Sequence, residues 1–274
     1  MKIGLALGGG AAYGYAHIGV LKVFEKYGIK PDIITGTSVG SLVGGGIASG
    51  LTVEEFEKIA LELKWSDIAS LNIPKEGLID LDKIETFIDK HFKVKKIQDT
   101  KVKFAAVVTD LITATGHVIK EGPIAPAIRA SCSIPGIFTP ATIGGTICVD
   151  GGIVDNVPVA AARELGADFV IAVDVLAGNR TDISKHRDIF NLVWRSWQVA
   201  IINSTKLREG RGGEADFTIS PEIVGIGPFD IHRKEDLIKM GERSAEKSIE
   251  GLSKIIGEKG SFMGMIKGIF TRQL

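Results

Sequence analysis

The sequence predicts an α/β fold with a mostly parallel central sheet covered by helices on both faces. Two observations carry this. Short apolar runs, Ile3 to Leu7, Phe104 to Val108 and Phe169 to Val173, read as buried strands, and segments with helical spacing separate them. Glycine-rich turns follow several strands, at Gly8 to Gly14, Gly36 to Gly40 and Gly151-Gly152. With 274 residues, 45% hydrophobic and 24% charged, the chain has ample length for a buried core. It reads as one domain over 1–274, with a motif-bearing core over about 1–175 and a helical part over about 184–274.

The elements follow in order. Ile3 to Leu7 is a strand, too short for a signal h-region. Residues 15 to 27 show helical spacing through Ile18, Leu21 and Phe24, and Gly28 ends that helix. Ile33 to Thr35 is a second strand. The next helix carries Gly44, Gly45, Gly46 and Ala48, which let it approach the sheet closely. Thr52-Val53-Glu54-Glu55 is a capping box. Residues 65 to 80 loop over the surface, and Asp82 caps a helix to about Phe92. Lys103 to Thr109 is a strand with Gly116 to Ile119 beside it, and Pro123 or Pro126 opens a helix to Ser131. Ile143 to Val149 reads as a strand, Val157 to Leu165 as a helix, and Phe169 to Val173 as a strand. Residues 178 to 184 are polar. A long helix with Phe190, Trp194 and Trp197 runs to Leu207. Phe217 to Ile219 is a last strand, and Glu235 to Ile256 a last helix.

Composition narrows function. Basic and acidic residues balance at 33 each, which argues against a nucleic-acid partner. Cys132 and Cys148 read as free buried thiols in a reducing, cytoplasmic setting. No stretch approaches the ~20 apolar residues of a membrane span. No His/Cys/carboxylate cluster has metal-ligand spacing, so no metal or cofactor is expected.

Three features point to acyl chemistry. Gly36-Thr37-Ser38-Val39-Gly40 is G-x-S-x-G between a strand and a helix, the pattern of a nucleophile elbow, with Gly36 and Gly40 sparing the tight turn a side-chain collision. Backbone N–H groups of Gly8, Gly9, Gly10 and Ala11 can serve an oxyanion, where each donor is worth about 2.7–4 kcal/mol. Asp150 closes a strand and is followed by Gly151 and Gly152, which leave room beside its carboxylate. Plainer readings stand beside these. The glycine loop could be a dinucleotide fingerprint, but the second strand does not end on the acidic residue that reading needs. Asp150 could be a turn aspartate. Of the histidines, His17 reads as structural, His91 and His186 as solvent-facing, and His117 and His232 lack a triad setting. Chain order leaves His232 formally available, with Asp150 or Asp174 as orienter.

Taken together, Gly8 to Gly14, Ala16-His17-Ile18-Gly19-Val20-Leu21, Gly36 to Gly40, Ala130 to Phe138, Asp150-Gly151-Gly152 and Asn156-Val157-Pro158 resemble the patatin-like phospholipase family over roughly residues 1 to 175. The resemblance implies a three-layer α/β/α fold and lipid acyl ester hydrolysis by a Ser–Asp dyad without a catalytic histidine. Ser38 would be the nucleophile and Asp150 the base. Family members usually carry Arg or Lys where this chain has Tyr13, so weaker turnover or a shift away from anionic head groups is expected.

The implied partner is a lipid or other acyl ester, met in peripheral contact with a membrane. A general carboxylesterase or thioesterase, and a lipid-binding regulatory module, remain alternatives. Residues 261 to 274 place Phe262, Met265, Ile266, Ile269 and Phe270 on one stripe. That stripe can meet a lipid interface, although packing on the chain's own core or on a second subunit of a homodimer is the plainer reading. The helix of Trp194 and Trp197 is a further candidate for a lid or dimer surface.

Overall fold

The computed structural model describes residues 1–70, 79–178 and 189–271, the side chains of 189–190, 211–212 and 260–271 excepted. The strands are β1 (Ile3–Leu7), β2 (Ile33–Thr37), β3 (Lys103–Asp110), β4 (Thr115–Ile119), β5 (Ala141–Ile143), β6 (Thr146–Asp150), β7 (Phe169–Val173) and β8 (Phe217–Ile219). The helices are α1 (Tyr15–Lys26), α2 (Val39–Ala48), α3 (Val53–Glu62), α4 (Asp82–His91), α5 (Ile124–Ser131), α6 (Val159–Glu164), α7 (Ile189–Arg208) and α8 (Lys234–Thr271).

One sheet runs β5-β6-β3-β2-β1-β7-β8, with β4 beside β3. β3, β2, β1, β7 and β8 are mutually parallel, while β4, β6 and β5 add antiparallel pairs. The twofold alternation of strand side chains divides the core. Leu5, Leu7, Ile34, Phe169, Ile171 and Val173 face the larger helical layer. Ala6, Ile33, Val170 and Ala172 face Val159 and Ala162 of α6. Helices on both faces of a mostly parallel sheet make the three layers.

The register of β3 brings two distant segments together. β3 pairs Thr37 with Val107 and Asp150 with Val108. β4 occupies the opposite edge at both positions, pairing Val118 with Val107 and His117 with Val108. β2 and β6 therefore share one edge of β3 and meet end to end, Ser38 just past one and Asp150 at the end of the other.

Several local expectations change. Residues 143–149 are not one strand: Gly144 and Gly145 take positive φ, 57° and 85°, and fold the segment into the β5–β6 hairpin. Asp82 does not cap α4. It is the first helical residue, and its carboxylate accepts from Ser70 Oγ at 2.9 Å. α6 begins at Val159, behind Pro158. The capping box of α3 closes in both directions, Glu55 N–H to Thr52 Oγ1 at 3.1 Å and Thr52 N–H to Glu55 Oε2 at 2.8 Å. α8 continues past Ile256 to Thr271, so the backbone of the C-terminal stripe is helical as far as that, while its side chains lie outside the described residues. The polar segment after residue 178 also lies outside them.

Gly40 is the tightest point of the elbow. A Cβ there would stand 2.2 Å from the Leu7 carbonyl oxygen, and one on Gly36 would stand 2.4 Å from the Gly40 oxygen. Both obstacles are backbone, so no rotamer change relieves them. Gly40→Ala should lower unfolding free energy by about 3 kcal/mol or more, at the upper end of overpacking costs. Urea unfolding at matched protein concentration measures this, and a loss under about 1 kcal/mol would mean the backbone yields.

Candidate active site

Ser38 stands between β2 and α2 with φ 54° and ψ −130°, a conformation a non-glycine residue adopts at a cost of about 1–3 kcal/mol. The surroundings hold it there. Its N–H donates to Ser131 Oγ at 2.8 Å, and that hydroxyl donates to Val107 O at 2.7 Å. Its carbonyl accepts from the Ser41 N–H and hydroxyl, at 2.8 and 2.6 Å.

Asp150 is completely buried. Oδ1 accepts from Gly152 N–H at 2.8 Å, and Oδ2 has no hydrogen-bond partner among the described residues. Burial pushes its pKa up to about 7, against the lowering effects of the Ser38 hydroxyl and then the Gly152 N–H. Ser38 is thus within electrostatic reach of the carboxylate, although its hydroxyl is not aligned as a closed donor to Oδ2. Such contacts commonly tighten only when substrate arrives. Gly151 packs against β3, where a Cβ would stand 2.3 Å from Val107 O; a Cβ on Gly152 would stand 3.0 Å from Asp150 Oδ1.

The structure narrows the four-residue donor loop. Gly8 N–H is taken by Val173 O at 3.0 Å, and Gly9 N–H by Asn156 O at 3.2 Å. These two amides are engaged, so of the expected set Gly10 and Ala11 are the ones with no acceptor among the described residues. Asn156 Nδ2 also donates to Gly9 O at 3.3 Å. In a trans peptide the carbonyl and the next N–H point opposite ways, so this clamp turns Gly10 N–H away from Asn156. Gly9 itself touches the elbow: a Cβ there would stand 2.9 Å from Ser38 Cβ. Ala11 takes φ 50° and lines the same cavity as Ser38.

That cavity, of about 120 Å³, is walled by Ile18, Val43, Phe56, Ile84, Phe138 and Phe229 among other apolar side chains. Cys132 opens onto it, which accounts for its partial exposure. Burial pushes the Cys132 thiol up, and the Asp150 carboxylate adds to that, so it stays protonated.

No described histidine stands in for Asp150. His17 is buried, and its Nε2 lies 2.7 Å from Gly8 O. Burial lowers its pKa to about 4, so it is neutral and ties down the glycine loop. His117 and His232 are exposed and His91 half-buried, and none lines the cavity with Ser38; His186 lies outside the described residues. Asp174 spends Oδ1 on the N–H groups of Leu176 and Ala177. Tyr13 is fully buried and donates to Ile226 O at 3.1 Å, so its side chain belongs to the core and not to a head-group surface. Among the described residues no group of three or more His, Cys, Asp or Glu could hold a metal ion.

Ser131 and Asn156 are the supporting residues that residue-level reasoning did not single out. Both fall in the stretches that carried the family resemblance, which was the one signal available for them.

A serine on a strained strand-to-helix turn thus stands with a buried carboxylate and unspent amides beside an apolar cavity in an α/β fold, an arrangement suited to acyl transfer. The family model for patatin-like phospholipase matches residues 5–163, and the chain belongs to this family. It is 28% identical over 292 residues to lysophospholipase NTE1 of Scheffersomyces stipitis, covering 96% of this chain and 19% of that protein. It is 34% identical to the uncharacterized NTE family protein Rv1063c of Mycobacterium tuberculosis, over 74% of this chain and 56% of that one. It is 32% identical to patatin-like phospholipase domain-containing protein 6 of Homo sapiens, over 72% of this chain and 15% of that one. The chain thus spans between about a seventh and just over half of these relatives' lengths. VipD from Legionella pneumophila shares the fold with a TM-score of 0.58 at 14% identity, covering 91% of this chain and 67% of that chain.

The raised pKa of Asp150 has a consequence for stability. The folded state holds this proton more tightly than the unfolded chain does, so ionising the carboxylate lowers stability as pH rises from about 4 to about 7. Asp150→Asn keeps the Gly152 bond and removes the charge. Above about pH 7 the variant should melt higher than wild type, with the gap closing as pH falls toward about 4. Thermal melts across that range test this, and a pH-independent gap would contradict it.

Proposed function

We propose that the chain is a serine acyl hydrolase that cleaves lysophospholipids and related monoacyl lipid esters through a Ser38–Asp150 dyad. The observation that carries this reading is Ser38 on its strained turn, beside a fully buried carboxylate and open to an apolar cavity. The lipid class is taken from the lysophospholipase name of a relative and agrees with the cavity walls.

In the first step Ser38 Oγ attacks the ester carbon, and its proton passes to Asp150 Oδ2. The carbonyl oxygen becomes an oxyanion, which the N–H groups of Gly10 and Ala11 stabilise. Collapse breaks the bond to the leaving alcohol, which takes the proton from Asp150. Water then gives a proton to Asp150 and attacks the acyl-enzyme. The acid leaves, and the proton returns to Ser38 Oγ. A carboxylate at its ordinary pKa of 3.8 would be a poor acceptor for a hydroxyl proton, and burial to about 7 makes it a stronger base. The cavity takes the acyl chain. Among the described residues no helix is long and apolar enough to cross a membrane, and the proposed enzyme meets its lipid at the surface.

Two measurements test this. Ser38→Ala and Asp150→Asn should each lower kcat on acyl esters of graded length by about a thousandfold or more, and Ser38→Ala should abolish fluorophosphonate labelling. Full labelling in Ser38→Ala would remove the dyad. In wild type, kcat/KM should rise with pH to a plateau with an apparent pKa near 7, because Asp150 must be ionised to accept the proton. A profile flat down to about pH 5 would exclude Asp150 as the base.

A further inference from the structure

The inner face of α7 carries a polar stripe that the proposed chemistry leaves unused. Trp194, Trp197, Gln198 and Ile201 share one face by spacings of three and four residues. That face reaches the site at both ends. Ile201 Cδ1 lies 3.4 Å from where a Cβ on Gly152 would stand, and Gly152 N–H holds Asp150. Trp194 meets Phe229 edge-on with ring centroids 5.0 Å apart, and Phe229 lines the cavity that holds Ser38. The two indole centroids are 5.1 Å apart.

Along this face Trp194 Nε1, Trp197 Nε1 and Gln198 Nε2 are buried and have no hydrogen-bond partner among the described residues. Trp194 is 4% exposed and Gln198 1%. The amide orientation of Gln198 is set by its neighbour. Arg195 donates to Gln198 Oε1 at 3.2 Å, and a guanidinium only donates, so the amide oxygen faces Arg195 and the NH2 faces elsewhere. Buried donors without acceptors are rare and require an explanation. Indole N–H groups have no acceptor capacity, so their partner must be rich in acceptors. α7 has no Asp or Glu to supply one, and it adds the positive charge of Arg195.

We propose that this stripe binds the phosphodiester of a lysophospholipid, its two non-bridging oxygens accepting from the indole N–H groups and the Gln198 amide, with Arg195 supplying the counter-charge. The proposal rests on the reading of Ser38 as an acyl hydrolase. In a lysophospholipid only a glycerol backbone separates the scissile ester from the phosphate. A site engaging one while Ser38 attacks the other must lie near Ser38, and Ile201, one turn from Gln198 on the same face, packs beside Gly152.

The test compares one acyl chain on two head groups. Trp197→Phe and Gln198→Glu both keep side-chain bulk, and the second replaces a donor with a charge that repels phosphate. For each full-length variant, kcat/KM is measured on palmitoyl lysophosphatidylcholine and on monopalmitoylglycerol. The ratio of the first to the second should fall by about tenfold, through KM. A ratio within about twofold of wild type in both variants would overturn the site while leaving the hydrolase reading intact. A second arm does not depend on turnover. In Ser38→Ala, tryptophan fluorescence is titrated with ether-linked short-chain lysophosphatidylcholine and with the matching glycerol ether. Saturation at about tenfold lower concentration for the phosphodiester supports the site, even if wild type cleaves neither ester. Equal titrations would overturn it, even in an active esterase.

Discussion

The site depends on backbone packed against backbone. The loop after β1 and the elbow after β2 approach each other, and the turn after β6 approaches β3, closely enough that a single methyl group would force them apart. A Cβ on Gly40 would strike Leu7 O, one on Gly9 would strike Ser38 Cβ, and one on Gly151 would strike Val107 O. The glycines are therefore conditions for assembly and not simply flexible joints. β3 acts as the common ruler, since Thr37 and Asp150 pair with its adjacent residues Val107 and Val108.

Close packing also excludes water, and that exclusion gives the carboxylate its character. Exposed, an aspartate at 3.8 is a stable anion and a poor base; buried, its ionised form is disfavoured and the proton affinity rises. The same burial lowers the stability of the folded state at neutral pH, so proton affinity and fold stability draw on one source in opposite directions. No described histidine is needed in this account. His17, the buried one, is neutral and engaged with Gly8 O. It fixes the loop on one side as Asn156 fixes it on the other.

Much of the fold was legible where apolar runs stop at a glycine. β1, β2 and α2 begin or end within two residues of expectation because the Gly8 and Gly36-to-Gly40 turns interrupt the pattern sharply. The β5–β6 hairpin was not legible. Its apolar residues continue across Gly144-Gly145, and only the backbone angles reveal a reversal. That Ser38 and Asp150 would lie near one another was legible only through the resemblance, whose motifs carry both residues, and the register of β3 brings them together. The donor set was not legible, since a glycine-rich loop shows which amides are unobstructed but not which are already bonded; Gly8 and Gly9 are spent on Val173 and Asn156. The resemblance marked Tyr13 as the place of a missing positive charge. Its burial and the turn of its ring toward Ile226 could not be read from its place in the loop.

α7 joins these strands of the argument. Ile201 packs beside Gly152, whose N–H holds the Asp150 carboxylate. Trp194, further along the same face, packs on Phe229 and so on the wall of the cavity beside Ser38. One helix thus spans both ends of the site, and along the same face it carries donors with no partner among the described residues. If apolar shielding of the carboxylate were its whole function, leucine or phenylalanine at positions 194, 197 and 198 would serve without leaving buried N–H groups unsatisfied. The polar choice at all three positions fits the acceptor proposed for this stripe better than it fits packing alone.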